Sequence, residues 1–177
     1  RFSLRAKNLM WLLGAGTSAS AGIPTALEMI WGFKQQLFIT QRKVSAQSVA
    51  DLSNSAIRSQ LQSHIDASER LPTAGDPDEY AALFEAVYPS EADRRAYVDA
   101  KLAGAMASYG HMALATLMHA GLTRLVWTTN FDPLIADACA KVYGTTGALT
   151  TVALDAPEQA AQLISDGRWP LEVKLHG

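Results

Sequence analysis

The stretch Leu9-Met10-Trp11-Leu12-Leu13-Gly14-Ala15-Gly16-Thr17-Ser18 constrains the fold more than any other part of the chain. Its apolar run is too short to cross a membrane and has no polar–apolar alternation, so it predicts a strand buried on both faces. Two glycines one residue apart then predict a tight turn with no Cβ to block a ligand. Small residues carry the backbone onward into a helix. Such a unit presents amide N–H groups at a helix start, where a pyrophosphate can sit. A dinucleotide site is expected.

The bulk composition sets limits on the alternatives. A chain of 177 residues, 49% hydrophobic and 18% charged, describes a soluble globular domain with one core rather than a disordered segment. A net charge of −2 gives no footprint for direct nucleic-acid binding or for an anionic membrane. The single cysteine, Cys139, excludes an intrachain disulfide and a four-cysteine zinc site, and the four histidines show no metal-type spacing. With no signal peptide and no apolar stretch of ~20 residues, a cytoplasmic setting away from membranes is expected. The chain opens on Arg1 and stops at Gly177, directly after an apolar run, so residues 1–177 read as one domain cut from a longer polypeptide at its C-terminal end.

Further along, Thr25 and Glu28 have capping-box spacing. Met29, Ile30, Phe33, Leu37 and Phe38 follow at helical intervals, with Trp31 off that face. From about residue 41 to 109 only helical patterns occur. They include a helix opened by Asp76-Pro77-Asp78-Glu79 and another started by Pro89-Ser90-Glu91. This span is expected to be a helical insertion module. Strand and helix signals then alternate. A helix from Gly110 to Ala120 precedes a strand over Leu122–Thr129, and Pro133 to about Tyr143 is helical. A strand over Leu149–Leu154, a helix from Pro157 and a strand over Leu171–Leu175 complete the pattern. The fold class expected is α/β, a Rossmann-like parallel sheet with right-handed crossovers.

Polar residues lie just past three strand ends: Gly14-Ala15-Gly16-Thr17-Ser18, Thr128-Thr129-Asn130-Phe131-Asp132 and His176-Gly177. In an open parallel sheet these ends share one edge, and ligands bind in the crevice there. Taken singly, the glycine turn could serve packing, Asn130 and Asp132 could form a turn and cap, and His176 could be a structural histidine. The matching positions of the three favour a common site. No Gly-Lys-Ser/Thr follows the glycines, and no acid ends a second strand to hold a ribose, which argues against a P-loop or an ordinary oxidoreductase. His111 at a helix start reads as a packing or capping residue. Cys139 reads as a small core residue.

Together, Gly14-Ala15-Gly16-Thr17-Ser18 with Gly22-Ile23-Pro24, Thr129-Asn130-Phe131-Asp132 and Lys174-Leu175-His176-Gly177 resemble the sirtuin family of NAD-consuming enzymes. That resemblance spans almost the whole chain. It implies that Gly14, Ala15, Gly16, Thr17 and Ser18 lie along the NAD phosphates and ribose, with Ile23, Pro24, Thr128 and Thr129 also lining the nucleotide. It further implies that Asn130 sits beside the nicotinamide ribose, Asp132 binds the carboxamide and His176 is the catalytic base. The departures matter as well. Thr25-Ala26-Leu27 replaces the Asp-Phe-Arg of the deacylases, Thr129 stands for their glutamine and Phe131 for their isoleucine. One cysteine cannot build their zinc module. The chain is more similar to the zinc-less sirtuin-like domains of bacterial defence proteins. The resemblance therefore implies an NAD+ glycohydrolase with Asn130 and His176 catalytic, NAD as substrate and no zinc, fused to or associated with a sensor domain. An NAD-dependent protein deacylase and a non-catalytic NAD or ADP-ribose sensor are the alternatives. The sequence leaves oligomeric state open.

Overall fold

The computed structural model describes residues 9–153 and 155–175. The chain divides into two compact units, one built from residues up to Ile23 together with those from Gly104 onward, the other from Pro24–Ala103.

The first unit is α/β. Its strands are β1 (Met10–Leu13), β2 (Leu125–Thr128), β3 (Thr150–Val152) and β4 (Leu171–Lys174). They form one sheet in the order β1-β2-β4-β3, with every pair parallel. Its helices are α1 (Gly16–Ala19), α6 (Tyr109–His119), α7 (Leu134–Tyr143) and α8 (Pro157–Ser165). The chain steps past β4 to reach β3 and then returns to β4. Right-handed crossovers place outward and returning helices on opposite faces, and the side chains sort accordingly. Val126 packs with Leu114, Ala115, Met118, Ile135, Ala138 and Cys139 of α6 and α7. Leu125, Val152, Leu171 and Val173 pack with Ala160 and its neighbours on α8. Each such fully buried branched side chain contributes roughly 1.5–3 kcal/mol. Gly144 closes α7 with φ 73°, the left-handed conformation that suits a helix C-terminal glycine. Burial pushes the Cys139 thiol up to about 11, as a core residue's should be.

One expectation fails here. β1 is a strand, but it is not buried on both faces: Met10 is 62% and Leu12 71% exposed. The register pairs β1 with β2 alone among the described residues. The apolar side of α8 covers β2, β4 and β3, which leaves Met10 and Leu12 uncovered on that face. On the other face Leu13 packs against the α6–α7 cluster.

The second unit is helical among its described residues: α2 (Ala26–Arg42), a single 3₁₀ turn (Ala46–Val49), α3 (Ser55–Asp66), α4 (Glu79–Val87) and α5 (Glu91–Leu102). It begins at Pro24 rather than near residue 41, because Met29, Phe33 and Leu37 of α2 share a core with Ile65 and Leu83. The capping box forms: the Thr25 amide donates to Glu28 Oε2 at 2.6 Å and the Glu28 amide to Thr25 Oγ1 at 3.3 Å. Phe33 stacks on Phe84 at 5.0 Å between centroids, with Tyr80, Tyr88 and Tyr97 around them. Trp31, off the apolar face, lies under two cations, with Lys34 Nζ 4.6 Å and the Arg58 guanidinium 5.0 Å from its ring centroid.

Asp76 does not cap a helix. α4 starts at Glu79, and the Asp76 carboxylate accepts the Asp78 amide instead. Glu79 turns inward, where it pairs with the buried Lys34 ammonium at 2.6 Å and accepts the Gly75 amide.

Candidate functional site

At the end of β1 the chain closes a short turn. The Thr17 amide donates to Gly14 O at 2.9 Å, the Thr17 hydroxyl to the same carbonyl at 2.8 Å, and the Ser18 amide to Ala15 O at 3.1 Å. Neither Gly14 nor Gly16 adopts positive φ, so the turn does not require glycine for its conformation. What the glycines supply is room. A Cβ on Gly16 would point into open space, while one on Gly14 would meet Thr129 Oγ1 at 3.7 Å. α1 runs only four residues, so its start offers few free amides.

β2 ends level with β1, since Leu13 is opposite Thr128 and the Thr129 amide donates to Leu13 O. The turn that follows is tied down atom by atom. Thr128 Oγ1 accepts the Asn130 amide at 3.0 Å. The Asn130 side-chain amide donates to Gly14 O at 3.1 Å, Thr17 Oγ1 at 3.0 Å and Ser18 Oγ at 2.9 Å. Ser18 donates to Asp132 Oδ2 at 2.6 Å, and Asp132 Oδ1 accepts the Leu134 amide at 3.1 Å. Ser18, Asn130 and Asp132 are all buried. A carboxylate only accepts, so Ser18 must give its proton to Asp132 and receive one from Asn130. The polarity of the relay is thereby fixed, and each bond strengthens the next. With both amide hydrogens shared among three acceptors, the Asn130 carbonyl oxygen is the atom left for a ligand: it accepts no hydrogen bond from the described residues.

β4 ends beside β2, with Lys174 opposite Thr128. Its ammonium donates to Phe131 O at 3.0 Å and Asp132 O at 2.7 Å. On α6, His111 is buried and its Nδ1 accepts from the Ser108 amide at 3.2 Å, with the Ser108 hydroxyl at 2.8 Å. Accepting at Nδ1 puts the proton of the neutral ring on Nε2. Burial holds this imidazole below the usual histidine range, while the Asp132 charge pulls the other way. His111 lines a cavity of 340 Å³ together with Trp11, Leu13, Gly16, Thr17 and Ser20. Asn130, which donates to Thr17 Oγ1, and Asp132 are not among the residues that line it. The capping role read for His111 is seen; the influence of the Asp132 charge on it had no local sequence signal, because the two residues are far apart in the chain.

Glu172 carried no signal in the sequence. It sits on β4 facing α6 and α7, 1% exposed, accepting from Thr151 Oγ1 at 2.8 Å while its Oε1 has no partner. Burial holds its carboxyl above the ordinary carboxylate range; the Thr151 hydrogen bond and the Lys174 charge oppose that, and Asp132 adds to it. The folded state therefore binds this proton more tightly than the unfolded chain. Stability from that source is full below the ordinary carboxylate range and is lost as pH rises through the raised folded value. As pH rises above the ordinary carboxylate range, the urea midpoint of the wild type is expected to fall relative to that of Glu172→Gln. Parallel midpoint curves for the two proteins would contradict it.

Of the residues expected to contact NAD, the structure brings together Gly14, Thr17, Ser18, Thr128, Thr129, Asn130 and Asp132. Ala15 precedes α1, exposed. Ile23 is buried, with its amide bonded to Ser18 O. Pro24 belongs to the helical unit. His176 lies outside the described residues. Among the described residues no group of three or more His, Cys, Asp or Glu could hold a metal ion. No helix among them is long and apolar enough to cross a membrane. Compared with known proteins, the chain matches no family model, and no curated protein matches it in sequence.

Proposed function

We propose that this chain is a sirtuin-like NAD+ glycohydrolase, cleaving NAD+ to nicotinamide and ADP-ribose as the cytoplasmic effector domain of a larger defence protein. The observation that carries the reading is the Asn130–Ser18–Asp132 relay, which joins the glycine turn after β1 to the Asn-Phe-Asp turn after β2. Both turns hold residues that the resemblance assigns to NAD, and they come from segments more than a hundred positions apart.

Nicotinamide in NAD+ is a cationic leaving group, so the bond to ribose breaks without a general acid. Catalysis then consists of holding the ring and ribose in the reactive geometry and presenting a water. Asp132 uses one lone pair on each oxygen internally, which leaves acceptor capacity for the carboxamide N–H₂. Asn130 offers its carbonyl oxygen to a water or ribose hydroxyl, its hydrogens being spent on fixing the side chain. His176 takes the proton, the role its position after β4 and the family resemblance imply. The absent Cβ on Gly16 leaves room for the substrate pyrophosphate to approach the protein backbone.

The second reading is a non-catalytic NAD or ADP-ribose sensor. It is favoured by the near-complete internal satisfaction of Asn130 and Asp132, which are 7% and 5% exposed. A deacylase is the third. Incubating the full chain with NAD+, first alone and then with an acylated lysine peptide, separates all three. The hydrolase releases nicotinamide unaided, the deacylase requires an acylated lysine, and the sensor binds without release.

A further inference from the structure

We propose that Lys174 is a positioning residue that fixes the Asn130-Phe131-Asp132 turn in its working shape. The assignment rests on the reading of that turn as part of an NAD-cleaving site. Lys174 is the last residue of β4 and stands in register with Thr128, the last of β2. From these two adjacent strand ends the turn is held at successive points. Thr128 Oγ1 takes the Asn130 amide, and the Lys174 ammonium takes the carbonyls of Phe131 and Asp132 at 3.0 and 2.7 Å. The Asp132 carboxylate is then fixed separately by Ser18 and the Leu134 amide.

The ammonium's choice of partners is informative. Glu172 shares its face of β4 two residues earlier, yet no carboxylate lies within ion-pair distance of Lys174 among the described residues. The charge is directed at two consecutive peptide carbonyls, an arrangement that needs a donor with at least two N–H groups. It sets the peptide planes on both sides of Asp132, and hence the direction of the Asp132 side chain next to Phe131. The bond to Phe131 O is solvent-exposed and that to Asp132 O only partly buried. Water can therefore replace the ammonium without unfolding the chain, but it cannot hold both carbonyls in one geometry.

The test compares full-length wild type with Lys174→Met, which keeps the stem and removes the donors, and Lys174→Arg, which restores two of them. With NAD+ as substrate, Lys174→Met should lower kcat by about 10²-fold while KM stays within about threefold, because a displacement of about 1 Å costs that much. Lys174→Arg should recover at least about tenfold of the loss. Full kcat in Lys174→Met, or no recovery in a folded Lys174→Arg, overturns the assignment. Backbone amide exchange supplies the independent readout: residues 129–134 should exchange at least about tenfold faster in Lys174→Met, with 10–13 unchanged. If the wild type leaves NAD+ intact, the NAD-cleaving reading falls on its own, and unchanged exchange at 129–134 overturns the positioning role. Should Lys174→Met not fold, the same exchange comparison on Lys174→Arg, expected to match wild type, decides it.

Discussion

Asn130→Ala is expected to cut the rate of NAD+ cleavage by at least about 10²-fold while the sheet stays folded. The alanine removes the carbonyl oxygen offered to substrate. It also releases three acceptors, Gly14 O, Thr17 Oγ1 and Ser18 Oγ, that hold the first turn against the second. Ser18→Ala breaks the same relay one step later. It leaves Asn130 bound to Gly14 and Thr17, so its loss should be smaller. Steady-state nicotinamide release, with circular dichroism to confirm folding, measures both. The opposite order, with Ser18→Ala the more damaging, would place the critical atom on Asp132 rather than on Asn130.

The largest stability effect is expected in the helical unit, at Lys34 and Glu79. Both are buried, 2% and 5% exposed, and their charges meet at 2.6 Å with Gln62 also accepting from the ammonium. Removing one partner strands the other charge in a medium that cannot solvate it, which costs about 3–5 kcal/mol. Glu79→Ala should therefore lower the unfolding midpoint far more than Lys34→Met paired with Glu79→Leu, which removes both charges together. Urea unfolding of the single and double variants gives the comparison. A single variant as stable as the wild type would mean that the ammonium finds another partner or water.

Why some of this could be read in the sequence follows from where the information lies. Helix α2 was legible because its cap and apolar spacing are local: Thr25, Glu28, Met29, Phe33 and Leu37 fall as expected. The parallel sheet was legible from the alternation of β-branched runs with helical ones after residue 110. The exposure of β1 was not, because Met10 and Leu12 look identical in sequence whether or not a helix covers them. What decides it is the strand order, which sends α8 across β2, β4 and β3.

The candidate site divides the same way. Gly14 to Ser18 and Asn130 to Asp132 could be singled out because each follows a strand signal. Their mutual bonding depends on the in-register ends of β1 and β2, and no spacing within either segment encodes that. Lys174 appeared in the sequence only as part of a family-like string, and its bonds to two carbonyls became visible only in three dimensions. Glu172 and Lys34 are charges on otherwise apolar faces. Periodicity assigns such positions to the core without saying what will neutralise them.

NAD+ cleavage is tested most directly by one measurement: nicotinamide and ADP-ribose released from NAD+ by the full-length chain, beside His176→Ala, with no acylated lysine present. One nicotinamide should appear for each ADP-ribose in the wild type, and His176→Ala should lose about 10²–10⁴ of that rate, the usual contribution of a placed general base. Saturable NAD+ binding without nicotinamide release, or equal rates in the two proteins, would contradict it.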